Sequence, residues 1–322
     1  MHRHRSRSEG PRHRVARRHR GRTGAGRPRR GRARPGARVK FLVSVPASTA
    51  NLGSGFDALG MALGMYDDVE VAGGDGADGL SIVVEGAGSG EVPLDETHLV
   101  VRAVRATGYT GGLALRCRNT IPHARGLGSS AAAIVAGVVA GFTLTGRELD
   151  TDALQIAAEF EGHADNAAAS LFGGVVVAWS EGERYRAVRM EPDARVRPVV
   201  LIPSQESSTK TTRGLLPAEV PHADAAHAAG RAALAVHALT SDPAVLLAAT
   251  EDRLHQNYRE PAWPDTVRVI NDLRKLGVPA CVSGAGPTVI AFGEIPAEVD
   301  VHGFDVRRLD VDTAGVRVRP LD

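Results

Sequence analysis

Only two of the 322 residues are cysteine, Cys117 and Cys281, and neither takes part in a metal-ligand spacing. Two thiols make no disulfide framework. They suit a reducing cytoplasm, and the alternative of a secreted protein with one bridge finds no secretory signal in this sequence to support it. Long apolar runs are also missing. The longest, Ala131 to Leu144, is 14 residues and rich in Ala and Gly, short of the ~18–20 residues that a membrane helix needs. It reads as a buried helix, and no membrane partner is expected.

Acids and bulky side chains are scarce at the start of the chain. Residues 1–40 hold 16 of the 39 Lys and Arg and a single acid, Glu9. The formal net charge of +2 therefore hides a body with 23 basic and 36 acidic residues, a balance of about −13. Such a body argues against nucleic acid as its main partner, because phosphate contacts require Lys and Arg. Residues 1–39 are nearly all Arg, His, Gly, Ser and Pro, with Val15 the one large aliphatic residue before Val39. This leader cannot bury enough apolar surface to offset its ordering entropy, and disorder is expected. Arg17 and Arg18 resemble a twin-arginine export pair, but no apolar segment follows. Of two readings, a basic arm for an acidic surface or a non-functional extension upstream of the true start, the second is preferred. Folded sequence is expected from about Val39.

A chain of this length holds two domains or one large one, and 43% hydrophobic residues is the level of a soluble globular protein. Apolar patterning predicts strands at residues 40–45 (stopped by Pro46), 61–71, 80–85, 112–119 and 173–179. Further strands are expected at 195–202, 278–282, 289–292 and, as the last, 301–309. Helical spacing marks 95–107, 129–142, 151–160, 223–239, 243–257 and 265–276. Asp150 or Thr151 caps the third of these, and Gly277 ends the last. Strands and helices mix without a strict βαβ rhythm, so the class is α+β. Residues 40–194 and 195–322 are the expected domains.

The most informative local feature runs through Pro122, His123, Ala124, Arg125, Gly126, Leu127, Gly128, Ser129, Ser130, Ala131 and Ala132. Gly126 and Gly128 permit a tight turn and close approach of a ligand. Ser129 and Ser130 then open an Ala-rich helix whose free N–H groups and positive dipole end point into the loop, an anion site suited to phosphates. A serine hydroxyl there is also suited to Mg²⁺. No Gly-Lys-Ser or Gly-Lys-Thr is present, so this is not a Walker loop, and the third glycine of a dinucleotide fingerprint is missing. Taken alone, such a turn also fits simple helix capping.

Two more loops change that balance. Pro46-Ala-Ser-Thr-Ala-Asn-Leu-Gly-Ser-Gly-Phe-Asp-Ala-Leu-Gly60 carries Asn51, Asp57 and three glycines, and Val282-Ser-Gly-Ala-Gly-Pro-Thr288 is a run of small residues between two strands. The three motifs in this order resemble those of the GHMP kinases, and within them the homoserine kinases, over roughly residues 40–309. The resemblance implies a ribosomal protein S5-like N-terminal domain and a ferredoxin-like C-terminal domain. It implies ATP on residues 122–132, with residues 283–288 supporting that loop. The reaction implied is ATP-dependent phosphorylation of the L-homoserine side-chain hydroxyl, a step of threonine biosynthesis, with Mg²⁺ as cofactor and a cytoplasmic location. A homodimer is compatible with it. The alternative is a GHMP kinase acting on mevalonate, a sugar or shikimate.

The resemblance also carries residue roles. His163 and Asn166, in Glu161-Gly-His-Ala-Asp-Asn166, match the amino-acid site, and a glutamate just upstream helps hold Mg²⁺: Glu161, with Glu159 as the alternative, beside Ser129. Thr209 and Arg213, in Ser208-Thr-Lys-Thr-Thr-Arg213, and Arg259, in Gln256-Asn-Tyr-Arg259, line the same pocket. Two arginines would clamp the substrate carboxylate by charge-assisted bonds, Asp57 would meet the ammonium, and Asn51 would hydrogen-bond nearby. A zwitterion requires both charge signs, which a mevalonate site does not. Asn166 and Arg213 are the expected catalytic residues, with Asn166 orienting the hydroxyl and no strong protein base. The sequence departs from the family pattern at Ser54, Asn257 and Ala167, where two prolines and a valine are usual, and none of these removes a proposed polar contact.

Overall fold

The computed structural model describes residues 39–74, 79–207 and 212–322. The expectations for the basic leader and for Thr209 lie outside the described residues.

The chain enters a long antiparallel hairpin, β1 (Val39–Asn51) and β2 (Gly55–Gly73). From Leu63 to Gly73 every second residue of β2 is buried, the mark of a strand with one face on a core. Pro46 does not stop β1. The register with β2 shifts between Pro46 and Ala47, and at such an irregularity a missing N–H leaves no ladder bond unmade. β3 (Leu80–Gly86) runs parallel to β4 (Leu113–Asn119), which pairs with β2. Leu113, Leu115 and Cys117 of β4 face inward, following the alternation in the sequence. β5 (Val175–Glu181) joins the start of β2, and β6 (Arg184–Met190) joins β5.

Helices cover this sheet. α1 (Leu99–Ala106) begins four residues later than its apolar spacing suggests, because Asp95 accepts hydrogen bonds from both N–H and hydroxyl of Thr97 and holds a turn there. α2 (Ser129–Leu144) is the apolar run of the sequence, with Ile134, Val135, Val138, Val139 and Phe142 buried against α1, β1 and the two helices that follow. Burying each such side chain contributes roughly 1.5–3 kcal/mol. α3 (Thr151–Glu161) is capped by Asp150, whose side chain accepts from Asp152 N. α4 (Asp165–Phe172) follows at once and went unforeseen, being short and largely alanine.

The second sheet has the order β10-β7-β9-β8, with β7 (Pro198–Pro203), β8 (Ala280–Val282), β9 (Val289–Phe292) and β10 (Phe304–Arg308), all antiparallel. Val199 and Leu201 face α6 (Pro264–Lys275), while Val200 and Ile202 join the larger core that includes α5 (His222–Thr240). Both faces are thereby covered. The last strand is not 304–308 but β11 (Arg317–Pro320), which returns to pair with β1 of the first sheet. Its exposed RVRP carries no apolar alternation to announce it. The helix expected over 243–257 is interrupted. The Asp252 carboxylate accepts the backbone N–H groups of Leu254, His255 and Gln256 and starts a fresh helical turn at Gln256–Arg259.

Candidate active site

Three loops meet where β1 turns into β2, where α2 begins, and where β8 turns into β9. Asn51, buried and at φ 69°, ties the first to the third. Its Nδ2 donates to Gly284 O at 2.8 Å, and its Oδ1 accepts from Asp57 N at 2.9 Å. Gly284 N returns a bond to Ala50 O. Ser283 Oγ donates to Gly126 O at 2.6 Å, Thr288 N to Arg125 O, and Ser48 N to Leu127 O. Gly126 and Gly128 are among the loop positions that leave no room for a side chain. Gly126 has φ +77° and a Cβ there would lie 2.3 Å from Ser283 O; at Gly128, with φ +69°, it would lie 2.0 Å from Ser48 Oγ. Gly128 is also the N-cap of α2, and no side chain caps that helix. Its first-turn N–H groups are left for a ligand.

The loops wall a cavity of about 500 Å³. Gly126, Gly128, Ser129 and Ser130 form one side, and Asp57, His163, Asp165, Asn166, Arg213 and Arg259 stand opposite or beside them. Arg213 pairs with Asp57 through two bonds of 2.8 and 3.0 Å. The carboxylate holds the guanidinium's proton more tightly than usual. The Phe56 ring packs against both arginines, with each guanidinium carbon 5.5 Å from its centre. Arg259 is 1% exposed. Among the described residues it bonds only His255 Nδ1 (3.2 Å) and Thr212 O (3.4 Å), and no carboxylate there lies within 4.0 Å of it. Burial, then the charge of Arg213, brings its pKa down to about 10. An unpaired buried cation of this kind is costly unless an anion joins it.

On the facing side, Asp165 is 1% exposed and its Oδ1 accepts from His163 Nδ1 (2.8 Å), Asn166 N (2.7 Å) and Asn166 Nδ2 (3.3 Å). Burial acts to lower the His163 pKa, but the bond and charge of Asp165, with the charges of Glu161 and Asp57, carry it up to about 9. Asn166 Oδ1 accepts from Ser48 Oγ at 2.9 Å. With Ser48 on its oxygen and Asp165 on one N–H, the amide keeps a second N–H to offer the cavity. Glu161 has a fully buried Oε2 with no hydrogen-bond partner. Burial, then the Asp165 charge, raises its pKa to about 7 against the opposing effects of His163 and a bond from Ser130.

A second cavity, about 310 Å³, shares Ser129 and Ser130 with the first. Val69, Val92, Pro93, Leu99, Val100 and Ala133 give it apolar walls, and Asp67, His98 and Asn119 place polar groups in them. His98 Nδ1 is buried without a partner.

A model of the GHMP kinases N terminal domain matches residues 98–174. Homoserine kinase of Streptomyces avermitilis is 50% identical over 293 residues, covering 87% of this chain and 95% of that protein. Homoserine kinase of Rhodococcus opacus is 50% identical over 310 residues, covering 87% and 98%. The chain belongs to the homoserine kinases of the GHMP family. Among solved structures, homoserine kinase from Cytophaga hutchinsonii superposes with a TM-score of 0.76 at 27% identity, covering 87% of this chain and 97% of that one. Mevalonate diphosphate decarboxylase from Staphylococcus aureus, at 17% identity and a TM-score of 0.62 over 88% of this chain, shares the fold alone.

Within this homoserine kinase family member, the residues singled out in the sequence divide by position. Ala124, Gly126, Gly128, Ser129 and Ser130 line the first cavity, and His123, Ser129, Ser130 and Ala132 the second. Leu127 and Ala131 are fully buried. Pro122 and Arg125 line neither cavity. Arg125 instead bonds Pro203 O, Ser204 O and His123 O and fixes the loop from behind. Arg259 reaches the cavity although Asn257, where the family has proline, is exposed on the helical turn before it. Glu159 is exposed and bonds Gln155, whereas Glu161 faces the cavity. No group of three or more His, Cys, Asp or Glu able to hold a metal occurs among the described residues. One buried carboxylate with a free oxygen beside serine hydroxyls fits Mg²⁺, a hard cation that completes its shell with phosphate oxygens and water. Sequence reasoning missed Ser48, Phe56, Asp165 and His255. Asp165 sat inside a quoted motif, but nothing local distinguishes it from its neighbours.

Proposed function

We propose that the protein transfers the γ-phosphoryl group of ATP to the side-chain hydroxyl of L-homoserine, giving O-phospho-L-homoserine. The observation that carries this reading is Arg259: a buried guanidinium without a carboxylate partner, facing the same cavity as the uncapped start of α2. One end of the cavity suits polyphosphate and the other suits an α-carboxylate.

ATP lies with its phosphates on Gly126–Ser130 and its base in the apolar second cavity, since Ser129 and Ser130 belong to both. Helix-end N–H groups stabilise the charge that spreads over the transferred phosphoryl oxygens. Glu161 and a hydroxyl of Ser129 or Ser130 would hold Mg²⁺, which neutralises charge on the β- and γ-phosphates. Arg259 and Arg213 take the substrate carboxylate, and Asp57, with His163 and Asp165 nearby, takes the ammonium region. Asn166 donates an N–H to the substrate hydroxyl oxygen and fixes its line of attack. A neutral amide is too weak a base to take the hydroxyl proton, which leaves to a phosphate oxygen or water. Transfers of this type depend more on positioning than on a strong base. Buried free thiols at Cys117 and Cys281 support the cytoplasm as the compartment.

An ADP-release assay over L-homoserine, mevalonate, galactose and shikimate tests the reading. Homoserine should give the highest kcat/KM by at least about tenfold, as expected when a site's buried charges go unpaired with the wrong substrate. A higher value for mevalonate, galactose or shikimate would overturn it.

A further inference from the structure

We infer that His255 is a positioning residue for substrate recognition: its imidazole, as the neutral Nε2–H tautomer, fixes the Arg259 guanidinium at the amino-acid end of the cavity. This deepens the reading above and rests on Arg259 being the carboxylate clamp.

The tautomer follows from the partners. His255 is fully buried. Its Nε2 lies 3.0 Å from Gly53 O, and a carbonyl only accepts, so Nε2 carries a hydrogen. Its Nδ1 lies 3.2 Å from Arg259 Nη1, and a guanidinium only donates, so Nδ1 is bare. Both bonds form together in one protonation state of the ring. Asp252 holds the ring's backbone by accepting the N–H of His255, and its own Oδ1 lies 3.7 Å from Nε2. Phe56 stacks on the imidazole with ring centres 5.2 Å apart, and the Arg259 guanidinium covers the same Phe56 ring. His255 thus connects the Gly53 turn, on the motif carrying Asn51 and Asp57, to the arginine that reads the carboxylate.

Without the Nδ1 acceptor, Arg259 keeps one long bond to Thr212 O and its contact with Phe56. Neither fixes the rotation of a side chain with this much rotamer freedom. A residue needed only for packing would alter stability and leave the Michaelis constants alone.

Two polar variants separate these roles. His255→Asn places its Oδ1 where Nδ1 stands and keeps the acceptor for Arg259. His255→Gln places an amide N–H where Nε2 stands, keeps the Gly53 bond and removes that acceptor. His255→Gln should raise the homoserine KM on the order of ten- to a hundredfold, the range of a hydrogen bond to a charged group, with the ATP KM unchanged. His255→Asn, which keeps the acceptor for Arg259, should raise the homoserine KM at least about fivefold less than His255→Gln, again with the ATP KM unchanged. Equal homoserine KM for the two variants would overturn the inference. Arg259→Lys tests the underlying reading separately. If it leaves the homoserine KM unchanged, the carboxylate clamp is what fails. If it raises that KM and the histidine variants do not differ, only the role of His255 fails. Nitrogen NMR of the intact wild-type protein gives a check that needs no variant: Nε2 protonated with Nδ1 bare is expected, and an imidazolium or the opposite tautomer would sink the proposal.

Discussion

Arg213 and Asp57 are 156 residues apart in the chain and bonded to each other twice, at 2.8 and 3.0 Å, on the wall of the candidate active site. They are the two charges that a zwitterionic substrate would divide between its carboxylate and its ammonium. Their side chains are 43% and 35% exposed, and a pair this open contributes only about 0–1 kcal/mol. An incoming amino acid can separate it cheaply, each substrate charge replacing the partner that a side chain gives up. Asp57→Asn should raise the homoserine KM about tenfold or more, the scale of a lost charge-assisted bond. Its melting temperature should stay close to wild type. Steady-state kinetics with calorimetry checks both, and an unchanged KM would remove Asp57 from the site.

Asn166 is expected to act on turnover alone. Its oxygen is held by Ser48 and its backbone N–H by Asp165, so its free donor is presented without reorganisation. Asn166→Ala should lower kcat on the order of a hundredfold, as misplaced reacting groups do, with nucleotide affinity by calorimetry within twofold of wild type. Should ATP affinity fall by the same factor, Asn166 belongs to the phosphate cradle instead.

Gly128 and Gly146 make a controlled comparison. Both have φ near +68° (69° and 67°), but a Cβ at Gly146 meets nothing within 4 Å while one at Gly128 meets Ser48 Oγ at 2.0 Å. Gly146→Ala should cost about 1–2 kcal/mol, the left-handed strain alone. Gly128→Ala should cost more. It should also weaken ATP binding, because the methyl distorts the uncapped start of α2, and lower turnover, because Ser48 then releases Asn166. Urea unfolding of the two variants is the measurement. Equal losses would mean that the loop yields to the added methyl.

Asp67 sets a pH dependence of stability. It is 4% exposed. Burial, with a smaller contribution from the charge of Asp68, raises its pKa from 3.8 to about 6, against two backbone N–H bonds from Ile121 and Thr120. The folded state therefore binds this proton more tightly than the unfolded chain. The stabilisation is complete below pH 3.8 and is lost as pH rises through 6, a change on the order of 2–3 kcal/mol. Asp67→Asn keeps an acceptor for the two N–H groups and should flatten that slope, gaining on wild type above pH 7. Chemical unfolding at pH 5 and pH 8 would show it. Parallel curves for the two proteins would refute the burial account.

How much of this was legible follows from the range of the interactions. The loop at Gly126–Ser130 could be read because its parts are consecutive: glycines that permit the turn, then serines that open an apolar helix. The alternation in β4 and the caps at Asp150 and Gly277 are local in the same way. α4, β6 and β11 escaped notice because alanine runs and charged edge strands carry no apolar period. The break at Asp252 escaped because a capping carboxylate within helical spacing looks like any exposed acid.

By itself the sequence determined that a glycine turn opens an apolar helix and that residues of both charge signs sit in the motifs around it, since these depend on residue type and near neighbours. The pairing of Arg213 with Asp57, the isolation of Arg259, the outward turn of Arg125 and the hold of His255 on the site were decided only by tertiary structure. Each depends on which distant segments exclude water from which charge, and burial is a property of the folded whole rather than of any stretch of chain.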